Sequence, residues 1–206
     1  MIVDLTQTIH ENMHVFEKRI KPVIIPWSRM DIHGYELELI FMSTHTGTHI
    51  DAPYHFNPHG MKVDEIPPDI LLLDALLLNI RRDAKEYITR EDIESKFDYA
   101  DAIVIHTHWE EHLEDTDYLN SNPGLSTDAA EYLASKNIRL VGIDTANIDH
   151  PSNKNFEAHH ILSKKGILIV ENLCNLRSVN KRFKLVVAPL KIRGASGSPV
   201  RALAIF

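Results

Sequence analysis

The chain has 206 residues, a formal charge of −7 at neutral pH, 25% charged side chains and 44% hydrophobic ones. That length carries one domain with a real core, and the composition excludes an intrinsically disordered chain. The acidic balance leaves no basic footprint for nucleic acid, and no apolar run approaches the about 18 residues of a membrane span.

The opening MIVDLTQTIHENM carries Asp4 and Glu11 and lacks the basic-then-apolar order of a secretory leader. The only cysteine is Cys174, so no intrachain disulfide forms, and both readings point to the cytoplasm. Cys174 lies in ENLCNL and is expected to be a small core residue.

In chain order, residues 35–42 (YELELIFM) alternate in part and predict a strand, and 76–80 predict a buried one. Thr89 predicts an N-cap for a helix to about Lys96, with acids in the first turn. A strand is expected at 102–105. Ser126 then caps a helix ending near Asn137, followed by a strand at 140–143. Residues 155–165 read as a third helix, closed by Lys164, Lys165 and Gly166. Strands at 167–170, 184–188 and 202–206 complete the pattern. There is no repeat or linker, so we expect one domain over 1–206 of mixed α/β (α+β) class.

The 13 histidines cluster at 45/49/55/59, 106/108/112, 150 and 159/160. His10, His14, His33 and His59 read as surface residues. Residues 43–56, STHTGTHIDAPYHF, hold three histidines and an aspartate within 11 positions. Gly47, Pro53 and the β-branched residues oppose a helix there. In an extended chain the odd-numbered His45, His49, Asp51 and His55 start on one face. Four extended residues span about 13 Å, so one metal site requires the chain to curve. Gly47 permits that bend, and Pro53 holds Ala52 extended. Thr44, Thr46 and Thr48 offer hydrogen bonds to the loop. Nitrogen and carboxylate donors suit Zn²⁺, Mn²⁺ or Fe²⁺. A histidine-rich surface loop has the same composition, and spacing leaves both readings open. Downstream, EAHHILSKKGILIVENL places His159 and His160 on the expected helix and Glu171 at the end of the next strand.

HTGTHIDAPYHF resembles the H-x-G-T-H-x-D-x-P-x-H motif of the cyclase family, whose best-known members are bacterial metal-dependent kynurenine formamidases. DLTQTIHENM, VIHTHW, NPGLSTDAAEYLASKNIRLVGIDTANID and APLKIRGASGSPVRA extend the resemblance over most of the chain. It implies a swivelling β/β/α fold, a homo-oligomer (dimer or tetramer) and a centre of one or two ions, Zn²⁺ or Mn²⁺. It implies metal ligation by His45, His49 and Asp51, with Asp51 able to bridge to a second ion held by a histidine and a glutamate. The family spacing of 12 selects His159, not His160, as the partner of Glu171. His55 matches the catalytic acid/base. The implied reaction is hydrolysis of a small-molecule amide by metal-activated water, N-formylkynurenine being one candidate and isatin-type cyclic amides or lactones another. The WPGD-like stretch of kynurenine formamidases is absent, and HVFEKRIKPVIIPW stands there instead. A passive metal-binding protein is the contrasting reading, and His55 argues against it.

His106, His108 and His112 offer another metal site, which the family does not require. His108 stands where relatives commonly have Gly, which places a titratable group close to the expected pocket or in solvent. Trp109 reads as a core or interface residue. Asp144 reads as structural, and Arg201 as a partner for a substrate acid or for a protein carboxylate. The 194–199 segment, GASGSP, is a turn without phosphate-loop or serine-hydrolase spacing.

Overall fold

The apolar runs at 76–80, 102–105 and 140–143 are adjacent parallel strands, and each is buried on both faces. The computed structural model describes residues 1–16 and 20–206. Within HVFEKRIKPVIIPW, residues 17–19 therefore lie outside the described residues.

Strand β1 (Ile2–Asp4) opens the chain. Strand β2 (Val23–Ser28), the one-turn helix α1 (Met30–His33) and strand β3 (Leu37–Phe41) form a separate two-stranded arm. Strand β4 (His49–Asp51) follows, then β5 (Leu72–Asn79), β6 (Tyr87–Ile88), helix α2 (Arg90–Glu94) and β7 (Ala102–His106). Next come β8 (Gly124–Leu125), α3 (Thr127–Ala134) and β9 (Leu140–Ile143). The chain ends with α4 (Glu157–Lys164), β10 (Leu168–Glu171), β11 (Arg182–Pro189) and β12 (Gly197–Ile205).

The main sheet runs β1-β12-β11-β5-β7-β9-β10-β4, and β4 also pairs with β12. The second pairing closes the sheet into a barrel-like ring. β5, β7, β9 and β10 are mutually parallel, whereas β4, β11 and β12 pair antiparallel with their neighbours. Strand alternation divides the core in two. Ala75, Leu77, Ala102, Val104, Leu140 and Leu168 face the ring interior. Leu76, Leu78, Ile103, Ile105, Val141 and Ile169 face the layer of α2, α3 and α4. The result is the mixed α/β architecture expected.

The expected helices form with shorter ends. Thr89 caps α2 as read, its Oγ1 accepting the Asp92 amide while the Asp92 carboxylate accepts the Thr89 amide. Ser126 precedes α3, but its hydroxyl donates to the Ile88 carbonyl at 3.0 Å instead of capping. Helix α4 starts at Glu157 because Phe156 is left-handed (φ 53°), and Gly166 at φ 75° follows its end.

One expected strand lies apart from the main sheet, and two local expectations are corrected. Residues 35–42 do give a strand, but it lies in the arm, and every residue of β3 is exposed. The arm also exposes Trp27 and Ile25 on β2. Cys174 is half-buried, not core: it lines a surface pocket with Thr6, Glu110 and Arg177. His14 is half-buried against Tyr118, whereas His10, His33 and His59 are exposed as read.

Candidate metal centre

His49 and Asp51 are two residues apart on β4 and so project to one side, while Ile50 enters the ring core. The antiparallel register sets Glu171 of β10 opposite His49, and Gly197 of β12 opposite Asp51. Gly47 at φ 61° supplies the required bend. The bend returns His45 so that its Nδ1 lies 2.6 Å from Asp51 Oδ1. After β4, a short 3₁₀ turn at Pro53–His55 stacks the His55 ring on His45 with centroids 4.0 Å apart. From the opposite side, α4 delivers His159, which is buried, and leaves His160 exposed.

These side chains form two triads, His45/His49/Asp51 and Asp51/His159/Glu171, that share Asp51. His159 Nε2 lies 3.3 Å from both Asp51 Oδ2 and Glu171 Oε1, and His49 Nε2 lies 3.3 Å from Asp51 Oδ1. Ligands about 2.0–2.1 Å from a tetrahedral ion stand about 3.3 Å from one another, so the spacing fits a metal ion. Asp51 Oδ2 is buried without a hydrogen-bond donor, as expected of an oxygen whose partner is a cation. The other ring nitrogens are engaged. His49 Nδ1 donates to the Gly47 carbonyl at 2.9 Å, and His159 Nδ1 meets Asp149 Oδ2 at 2.6 Å. Both bonds leave Nε2 directed at the centre.

Without an ion, the cluster perturbs its own protonation. Burial pushes the Asp51 carboxyl up, but His49, His159 and His45 outweigh it and hold the group well below the carboxylate range. Burial opposes charge on His49, yet Asp51 and Glu171 raise it to about 9. His159 is likewise raised, against its burial, by Asp149, Asp51 and Glu171. His55 goes the other way, to about 4, because desolvation and the charges of His45, His159 and His49 outweigh Asp51. His55 is therefore neutral near pH 7.

Sequence reasoning missed the supports of this centre. Asp149 accepts the Ala158 amide (2.8 Å) and Asn153 Nδ2 (3.0 Å) on Oδ1, which fixes the carboxylate that orients His159. An acceptor behind each metal-binding imidazole is a general requirement, and this was the signal to look for. Glu171 Oε1 accepts the Ile148 amide at 2.7 Å. The ring of His45 lies against Gly197, where a Cβ would come within 2.5 Å of Cε1. Thr48 donates to the Asn172 carbonyl (2.6 Å), as expected of a loop threonine, whereas Thr46 Oγ1 is buried without a partner.

The other candidates fall outside. His106, His108 and His112 form no ligand cluster among the described residues. His106 is buried beside Glu110, His108 meets Asn79 Oδ1 at 2.9 Å, and His112 pairs with Asp115. His108 is left-handed (φ 69°), which explains why Gly suits that position, and it does not line the pocket. Trp109 is a core residue whose Nε1 donates to the Tyr118 carbonyl. Asp144 is buried and accepts the Thr107 amide and hydroxyl. Arg201 pairs with Asp4. Burial, with Glu110 and Asp4, pushes the Cys174 thiol up to about 12, which removes it as a nucleophile.

The triads sit in a cleft of about 340 Å³ walled by Phe16, Phe56 and Phe156. The cyclase family model, described as "Putative cyclase", matches residues 3–150. The chain belongs to the cyclase family. It is 30% identical over 203 residues to a kynurenine formamidase of Bacillus cereus, covering 98% of this chain and 95% of the relative. Isatin hydrolase A from Labrenzia aggregata, solved with benzyl benzoate, superposes with a TM-score of 0.87 at 28% identity, covering 99% of this chain and 93% of that one. A structure from Bacillus stearothermophilus, described as a predicted metal-dependent hydrolase, gives 0.83 at 30% identity, covering 99% and 97%. The fold is that of these hydrolases, and the family places the chain among metal-dependent enzymes that act on amide C–N bonds.

Proposed function

We propose that His45, His49, Asp51, His159 and Glu171 hold one or two divalent ions, Zn²⁺ or Mn²⁺, and that the single domain over 1–206 hydrolyses a formylated aryl amide. N-formylkynurenine, giving kynurenine and formate, is the leading substrate, in line with the formamidase relative. The observation that carries this reading is the pairing of a shared carboxylate, Asp51, with a neutral imidazole, His55, stacked 4.0 Å from the ligand His45. A passive metal store has no need of such an acid/base.

A bound ion supplies Lewis acidity and lowers the pKa of the water it holds to about 7. The protein's own groups do the rest. Asp51 and Glu171 provide the negative charge that retains a cation in a buried site. His55 accepts the proton of the attacking water as the tetrahedral carbon forms. The imidazolium so produced is strongly acidic in that setting and returns the proton to the leaving nitrogen, which departs poorly as an anion. Phe16, Phe56 and Phe156 seat the aryl ring and exclude bulk water.

The isatin hydrolase superposition favours a second substrate class, a cyclic aryl amide or lactone opened by the same groups. The exposed arm, with Trp27, Ile40 and Phe41 uncovered, supports a homo-oligomer (dimer or tetramer) in which a second copy covers it. No helix among the described residues is long and apolar enough to cross a membrane, and the single cysteine fits a reducing cytoplasm. The deciding experiment is hydrolysis of N-formylkynurenine and of isatin by purified protein, with metal content measured in the same sample. Turnover of N-formylkynurenine that EDTA abolishes and Zn²⁺ or Mn²⁺ restores is the expected result. Turnover of isatin alone selects the second class, and turnover of neither with a filled centre overturns both.

A further inference from the structure

The carbonyl of Gly47 sits at the bend before β4 and accepts two hydrogen bonds, from His49 Nδ1 (2.9 Å) and from Asn172 Nδ2 (3.0 Å). Both of its lone pairs are thereby used. Asn172 Oδ1 in turn accepts the Tyr118 hydroxyl at 2.9 Å, a shorter bond than the 3.3 Å from that hydroxyl to the Asp144 carbonyl. The orientation of the amide follows from chemistry. A carbonyl can only accept, so Nδ2 must face Gly47, and Oδ1 is left for a hydroxyl that must donate.

Strand geometry alone does not put Asn172 there. It follows Glu171, the last residue of β10, and in an extended chain its side chain would point away from the face that Glu171 serves. Its left-handed backbone (φ 58°) breaks the alternation, and both side chains line the cleft. Asparagine is among the few non-glycine residues that adopt this conformation readily. The backbone is tied at both ends: its amide donates to the Thr145 carbonyl (2.8 Å), and its carbonyl accepts the Thr48 hydroxyl (2.6 Å). Tyr118 is buried, and its own carbonyl accepts Trp109 Nε1.

We infer that Asn172 and Tyr118 are positioning residues for the metal centre. Their hydrogen bonds hold the Gly47 carbonyl, the carbonyl sets the ring of His49, and the ring keeps Nε2 aimed at the ion. Neither residue belongs to the two triads. The inference rests on ligation by His49, as proposed above.

The test is the zinc affinity of the full chain, measured by competition with a fluorescent chelator, beside the visible absorption of the cobalt-loaded protein. Asn172→Gly keeps the left-handed backbone and deletes the amide, and is expected to weaken zinc binding about tenfold. Tyr118→Phe removes one hydroxyl and is expected to weaken it about threefold. Both act through one amide, so the double variant is expected to lose no more than Asn172→Gly alone. The cobalt band, which reports ligand geometry, is expected to shift in each variant. Unchanged affinity in both single variants overturns the inference, as do losses that multiply in the double variant or a cobalt band that keeps its wild-type shape. If Tyr118→Phe does not fold, affinity and band of Asn172→Gly decide. A wild-type chain that binds no zinc, or a His49→Ala variant that binds it as tightly, overturns the ligation and this inference with it. Tight zinc binding that needs His49 but neither Asn172 nor Tyr118 removes the positioning role alone.

Discussion

Asp149 Oδ2 lies 2.6 Å from Nδ1 of His159, and both groups are almost fully buried. The carboxylate fixes which imidazole nitrogen faces Asp51 and Glu171. Asp149→Ala is therefore expected to weaken metal binding about 10–100-fold, as loss of an outer partner does elsewhere. Competition with a fluorescent chelator measures it. Unchanged affinity would show that α4 alone positions His159.

His55 stands beside the proposed ligands without belonging to either triad. His55→Ala is expected to reduce turnover by about 10²–10⁴-fold while metal content stays near that of the wild type. Elemental analysis alongside kinetics separates the two roles, and loss of metal in step with activity would make His55 a ligand.

In the metal-free protein, His49 is raised to about 9 and His159 is also raised. A raised folded-state pKa stabilises the fold fully below the unfolded value of about 6.5, and that stability is lost as pH climbs through about 9. Protons also compete with the ion. Metal-free protein should therefore melt at progressively lower temperature from pH 6.5 upward, while the increase in Tm on adding Zn²⁺ grows. Scanning calorimetry across this range tests the sign, and a metal-induced shift that shrinks with rising pH contradicts it.

Gly197→Ala places a methyl group 2.5 Å from His45 Cε1. The ring is expected to move off the centre, with a loss of activity larger than any change in melting temperature. Full activity would mean that His45 tolerates displacement.

Among the described residues, the arm strands β2 and β3 pair only with each other, and they expose apolar side chains. Ile40→Glu with Phe41→Glu is expected to shift the protein toward monomer in light-scattering chromatography without loss of the barrel's circular dichroism signal. An unaltered mass, or a wild-type chain that is already monomeric, counts against the arm as the contact.

Much of the ring was readable in the chain. The runs at 102–105 and 140–143 are strands nearly as predicted, because burial on both faces writes a continuous apolar word. Parity, Gly47 and Pro53 marked His45, His49, Asp51 and His55 as one curved segment but left a metal site and a surface loop both open, and only the family resemblance set His55 apart from the other three. His159 and Glu171 needed the family spacing, since the contact between α4 and β4 is set by tertiary packing. Asp149 was invisible for the same reason. Its neighbour Asp144 sits at the end of an evident strand and drew attention, while Asp149 acts through a loop whose course no local pattern predicts. His14 was misread because polarity alone does not reveal that the N-terminal segment passes over the cleft.

Strand β4 is three residues long and hydrogen-bonded along both edges, to β10 and to β12. A one-residue slip would exchange His49 and Asp51 for Ile50 at the centre and drive two polar groups into the apolar ring. An insertion or deletion inside 49–51 is thus expected to dismantle both triads, whereas a change in the loops at the cleft rim leaves this register intact. Variation on this scaffold is therefore expected at the walls of the cleft, with the two triads kept as one unit.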